Sequence, residues 1–315
     1  MAEPIKIDSH VHLYRTRSEG DAEKQGYEVW EYGQKAGVRG STCSGTVDEV
    51  LAAMKGAGVA KAVVVNLFIT REHRNAELAR LPKGLTAIAA AKAAGEIDAM
   101  LVESQAIFNR WICEVARQHP EIVPFVGNDV STLPGESGAA YVRLMVENHG
   151  ARGVKLHGAA QGFDMSDERL WPLYAVCEEL GVPIIGHAGP DRDGAGMAEP
   201  RAFGRMLRAF PHLKVVLAHL GGATWGQALE IAGTYRNAYF DCCEIVEWTG
   251  STNGPSTQQL GRLIKDIGPE RVMMGSDFPW YDIDHTVARI MELPVLSLEE
   301  KEGILGANAL RILDL

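Results

Sequence analysis

Short apolar runs recur along the chain at fairly regular intervals, separated by stretches with helical spacing. The runs are IKIDSHVHL (5–13), KAVVVNLFI (61–69), IVPFVGNDV (122–130), ARGVKLHG (151–158), VPIIGHAG (182–189), LKVVLAHLGG (213–222), AYFDCCEI (238–245) and RVMMGSDFPW (271–280). Each is close to continuously apolar, as strands covered on both faces are. Between them, TVDEVLAAMKGAG (46–58), DERLWPLYAVCEELG (167–181) and TQQLGRLIKDIG (257–268) start near Ser, Thr or Asp and close on Gly, as helix caps require. The last helix opens at Ser297, with Glu300 at the capping-box spacing. Eight strands alternating with helices predict an α/β protein closed as a (β/α)8 TIM barrel, one domain over residues 1–315. The competing doubly wound sheet usually has fewer strands and a Gly-rich first turn, which is absent here.

Two stretches do not fit ordinary connections. Tyr14 to Gly45, rich in Gly and charge, is too long for a strand-to-helix loop and predicts an active-site insertion or lid after strand 1. A second excursion runs from Thr70 to about Gly95.

Composition narrows the class. The 315 residues can bury one large core or two modest ones, and 46% hydrophobic with 23% charged residues is ordinary for a globular protein. A balance of 31 basic against 41 acidic residues, without a basic cluster, speaks against nucleic acid as a partner. No apolar run is long enough for a membrane span and no signal-peptide pattern is visible, so a cytoplasmic protein is expected. Five cysteines without a C-x-x-C pair fit a reducing compartment. Cys242 and Cys243, on opposite faces of a strand, are expected to be packing residues.

The informative feature is where polar residues fall. His10 and His12 share one face of the first strand. Asn66, Asp129, Lys155, His157, His187, His219, Glu244 and Asp277 likewise stand at the C-terminal ends of predicted strands. In a barrel those ends converge on one mouth, where active sites are built.

DSHVHL, GVKLH, IIGHAG, VVLAHLGG and GSDFP, in this order, resemble the amidohydrolase superfamily. More closely they resemble its amidohydrolase-related (amidohydrolase 2) branch, which includes aminocarboxymuconate-semialdehyde decarboxylase, resorcylate decarboxylases and several hydrolases. The resemblance covers nearly the whole chain. It implies a barrel with metal at the mouth, held by His10, His12, His187 and Asp277. His219 falls where the family has a second-metal ligand or a catalytic acid/base, and Lys155 where some members carry a carboxylated lysine bridging two metals. Three imidazoles and a carboxylate suit one Zn²⁺, with Mn²⁺ or a second metal as alternatives. Asp277 and His219 are the expected catalytic residues.

Lys155, His157, Arg71, Glu244 and Asn66 are the expected substrate-binding residues, with Arg71 and Arg39 able to clamp a carboxylate. Trp30, Trp280 and Phe278 are candidate pocket walls, whereas His73, His119, His149, His212 and His285 are expected at the surface. The expected function is a metal-dependent hydrolase directing a zinc-activated water at a small carboxylated amide, ester or lactone. The alternative is a zinc-dependent nonoxidative decarboxylase, or a hydratase, of an aromatic or muconate-like acid. The expected partner is a small-molecule substrate, and some family members are homodimers.

Overall fold

A computed structural model of the chain describes residues 4–26, 30–35 and 37–315. Eight parallel strands pair in chain order: β1 (Lys6–Val11), β2 (Val59–Val64), β3 (Ile122–Gly127), β4 (Gly153–Leu156), β5 (Ile184–Gly186), β6 (Val215–Leu217), β7 (Ala238–Asp241) and β8 (Val272–Met273). Beyond β8 the chain returns to β1. Ser9 N donates to Met274 O at 2.9 Å, Asp277 N to His10 O at 2.9 Å and His12 N to Phe278 O at 2.7 Å. This seam closes the (β/α)8 barrel expected from the sequence.

Side chains on alternate strand positions fill the lumen: Ile7, Val63, Val123, Phe125, Ile185, Val216 and Met273 form one buried cluster. Ala309, Ile312 and Leu313 of the C-terminal helix Asn308–Leu313 join it and plug the end of the barrel opposite the mouth. On β4 the lumen position is Gly153, and the Phe125 ring takes its place: a Cβ at Gly153 would lie 2.1 Å from that ring. Gly153→Ala is therefore expected to cost about 1–3 kcal/mol by overpacking. Urea unfolding checks this, and an unchanged midpoint would show that the ring can move aside.

The outward strand residues pack under the helices in a second, larger cluster. Capping boxes form at Thr46/Glu49, Ser256/Gln259 and Ser297/Glu300. The excursion expected from Thr70 to about Gly95 is not irregular. It is the helix Thr70–Ala79 and the first third of the helix Ala87–Gln118, joined by an Arg74–Asp98 ion pair at 2.5 Å. Its composition hid it, because TREHRNAELA carries few apolar positions and lies largely exposed.

The insertion expected over 14–45 contains the helix Arg17–Gly26, while residues 27–29 and 36 lie outside the described residues. Its following segment is held to the chain after β7. The Tyr32 and Trp248 rings stack at 5.5 Å, Asn253 N donates to Tyr32 O at 3.0 Å, and Asn253 Nδ2 donates to Glu31 O at 2.9 Å. Among the described residues, no helix is long and apolar enough to cross a membrane.

Candidate active site

A register shift in β1 between Asp8 and Val11 separates two inward-facing groups an odd number of residues apart. Ile7 lies in the lumen cluster, while His10 and His12 face the mouth. Such bulges re-aim side chains next to active sites. The ends of β6, β7 and β8 turn just as sharply. His219, Leu220, Glu244 and Asp277 have φ between 51° and 60°, four of the six non-glycine residues with positive φ among those described. Conformations of this kind cost about 1–3 kcal/mol each and persist only where the surroundings impose them.

These turns bring the predicted residues around one cavity of about 100 Å³. His10, His12, Lys155, His157, His187, His219 and Asp277 surround its floor. Tyr14 and Glu23 come from the insertion, Asn66, Leu67 and Ile69 from the chain after β2, and Trp280 from beyond β8. His12 Nε2 lies 3.2 Å from Asp277 Oδ1, and His10 Nε2 lies 3.7 Å from the same oxygen. His10, His12 and Asp277 each place a donor atom within 4.8 Å of the other two. His187 lines the same cavity but stands outside that group, its ring stacked on His157 at 3.8 Å and 12°.

Burial, reinforced by the Lys155 charge, pushes His10 down to about 3, so its imidazole is neutral at working pH. Burial works against ionisation of Asp277, yet the hydrogen bond from His12 and the nearness of His10 hold its carboxyl well below the usual range. Burial likewise pushes His157 and His187 far below an ordinary imidazole, and Lys155 below an ordinary ammonium. Behind His10, Asp241 Oδ2 accepts from Nδ1 at 3.0 Å, and Asp241 Oδ1 accepts from His219 N at 2.8 Å. Neutral imidazoles, an ionised carboxylate and a second carboxylate fixing the rear nitrogen form a donor set that fits a divalent metal ion.

A model of the amidohydrolase family matches residues 7–315. The chain belongs to the amidohydrolase family. Two curated relatives of this amidohydrolase carry the name 2-amino-3-carboxymuconate-6-semialdehyde decarboxylase. The one from Dictyostelium discoideum is 26% identical over 240 residues, 66% of this chain and 65% of that protein. The one from Caenorhabditis elegans is 27% identical over 171 residues, 44% of this chain and 42% of that protein. The match thus spans less than two thirds of either relative. A solved dihydroxybenzoic acid decarboxylase from Polaromonas, with bound manganese and the inhibitor 2-nitroresorcinol, is similar in fold. Its TM-score is 0.65 at 15% identity, covering 100% of this chain and 98% of that one. The amidohydrolase family is metal-dependent, in keeping with the donor set at the mouth.

Several expected substrate contacts lie outside the cavity lining. Arg71 is exposed and lies over Gly162, outside the cavity, because its helix points it along the surface. Arg39 is engaged by Asp282 at 2.9 Å. Glu244 is buried outside the cavity lining, its backbone left-handed and its Oε2 3.9 Å from His219 Nδ1. Asp129 is buried outside the lining too, bonded to Thr70 and Ser131.

Asn66 does reach the cavity, but its amide is engaged by the Leu13 backbone in both directions. His157 accepts from Ala160 N at 3.2 Å through Nδ1. Trp280 forms a wall, edge-on to His12 at 5.1 Å, whereas Phe278 lies in the core and Trp30 is exposed. His285, expected at the surface, is half-buried with Nδ1 2.8 Å from Glu247.

The sequence reading missed Asp241, Cys243, Tyr14 and Glu23. The first two were legible in principle, because Tyr239, Asp241 and Cys243 alternate onto one face of AYFDCCEI. A Cβ at Gly222 would meet Glu31 Oε1 at 2.2 Å, so this glycine seats a side chain of the insertion. Asp241→Asn is expected to weaken metal binding by roughly 10–100-fold, the usual cost of losing such a supporting carboxylate. Equilibrium dialysis measures it; unchanged affinity would mean that Asp241 only shapes the backbone around His219.

Proposed function

We propose that this amidohydrolase is a metal-dependent nonoxidative decarboxylase of a small unsaturated or aromatic carboxylic acid. The observation that carries the reading is the name shared by both curated relatives, on a mouth whose donor set, proton donor and apolar wall suit that chemistry. The hydrolytic expectation yields to this alternative. A divalent ion held by His10, His12 and Asp277, in the cavity that His187 also lines, would supply the positive charge that holds and polarises the oxygen atoms of the acid. Zinc suits this donor set and manganese is the competitor, as the manganese in the Polaromonas structure suggests.

The chain's own residues supply the rest. Lys155 is the one Lys or Arg among the residues lining the cavity, and its Nζ lies 3.2 Å from His10 Nε2. It fixes the carboxylate at the floor. Leu67, Ile69 and Trp280 flank a planar carbon skeleton and exclude water around it. His219 delivers a proton to the carbon bearing the carboxylate. The C–C bond then breaks, its electron pair restores the unsaturation, CO₂ leaves, and His219 regains a proton from solvent. Segment 14–45 acts as the active-site insertion through Tyr14 and Glu23, and the five free cysteines support a reducing, cytoplasmic setting.

The test is CO₂ release from a panel headed by 2-amino-3-carboxymuconate-6-semialdehyde and dihydroxybenzoic acids, with amides and lactones alongside. The expected result is CO₂ from at least one acid, abolished by chelation. In D₂O the product should carry one deuterium at the carbon that lost CO₂. Turnover of an amide or lactone, with no CO₂ from any acid, would return the hydrolase reading.

A further inference from the structure

Cys243 has no part in the proposed reaction, yet it is fully buried behind the cavity-lining His219, with Sγ 3.0 Å from His219 Nδ1. His10, His219 and Cys243 each place a donor atom within 4.8 Å of the other two, as His10, His12 and Asp277 do. Gly275 permits the approach. A Cβ there would lie 2.7 Å from the Cβ atoms of both Cys243 and His10, so any side chain on β8's extension would drive the two apart. The neighbouring cysteine differs, for Cys242 packs in the outer core.

We infer that His10, His219 and Cys243 form a second cation position, selective for thiophilic divalent ions and mutually exclusive with the position at His10, His12 and Asp277. Exclusivity follows from His10. Asp241 holds its Nδ1–H, so an ion can be met only by the Nε2 lone pair, which faces Lys155 Nζ at 3.2 Å, and one lone pair serves one ion. Selectivity follows from the donors. Two imidazoles and a thiolate favour Zn²⁺ or Cd²⁺, whereas an imidazole pair with a carboxylate also accepts harder ions such as Mn²⁺. Binding on the thiol side displaces the Cys243 proton to solvent, one per ion. It also takes the lone pair of His219, so a thiophilic ion there silences the proposed proton donor.

The inference rests on the mouth being a metal site, and the experiment separates the two. Full-length protein freed of metal is titrated with Cd²⁺, reading bound cadmium by elemental analysis and thiolate-to-cadmium charge transfer by ultraviolet difference absorption. The expected result is about one cadmium per chain with a saturating charge-transfer band, lost in Cys243→Ser and kept in Cys242→Ser. Cadmium bound by the wild type without the band, or a band that survives in Cys243→Ser, overturns the thiol site alone. No cadmium bound overturns the metal reading of the mouth as well. The wild-type spectrum decides by itself if a variant fails to fold.

Discussion

Asp277→Asn is expected to lower turnover by at least ~100-fold and to deplete the purified protein of its metal ion. Asp277 is the one carboxylate in the group it forms with His10 and His12, and its hydrogen bond from His12 keeps it ionised despite burial. A neutral amide of the same shape removes that charge and leaves His10 and His12 as the only strong donors of the group. The substitution is mild for the backbone. Asp277 sits at φ 59°, where asparagine is among the best-tolerated residues. The thermal transition in the presence of chelator should therefore match the wild type, which isolates the effect on the site. Turnover and elemental analysis together check the expectation. Full metal content with a lost rate would make Asp277 a proton-handling group rather than a ligand, and an unchanged rate would remove it from the mechanism.

His219→Asn is expected to produce the second large effect, a fall of roughly 10²–10⁴ in kcat with metal content and KM near those of the wild type. His219 also adopts a left-handed backbone, φ 60°, so asparagine again fits the turn. Its backbone N–H, which donates to Asp241, survives the exchange, and the support behind His10 stays intact. What disappears is the imidazole between Cys243 and the cavity, the group assigned to deliver the proton. Steady-state kinetics beside elemental analysis check it: kcat should fall while metal content and KM stay near those of the wild type. A rise in KM with kcat unchanged would instead make His219 a substrate contact.

The barrel itself was legible because strands covered on both faces leave runs of apolar residues, and all eight such runs hold a strand. His10, His12, His187, His219 and Asp277 were legible for a related reason, since polar residues at the ends of those runs have one place to converge. The failures share a cause. Arg71, Glu244 and Asp129 lie near strand ends in the sequence, but Glu244 and Asp129 are buried beside the lining and Arg71 stands on a surface-facing helix, and none of this leaves a composition signal. The helix Thr70–Ala79 was hidden by its exposure, as an element that buries little shows little hydrophobic period. Cys243 was discounted because a cysteine next to another cysteine in an apolar strand has the same appearance whether it faces the core or the mouth.

The seam between β1 and the segment after β8 has a consequence for how the protein matures. His10 and His12 leave the ribosome more than 260 residues ahead of Asp277. The hydrogen bonds that align them, Asp277 N to His10 O and His12 N to Phe278 O, belong to the last contact the barrel makes. A nascent chain cannot bring His10, His12 and Asp277 together before the eighth strand is made, so an ion held there, as proposed above, would be acquired after synthesis of the barrel. It would staple the first strand to the last, and its departure would loosen the barrel at that joint first.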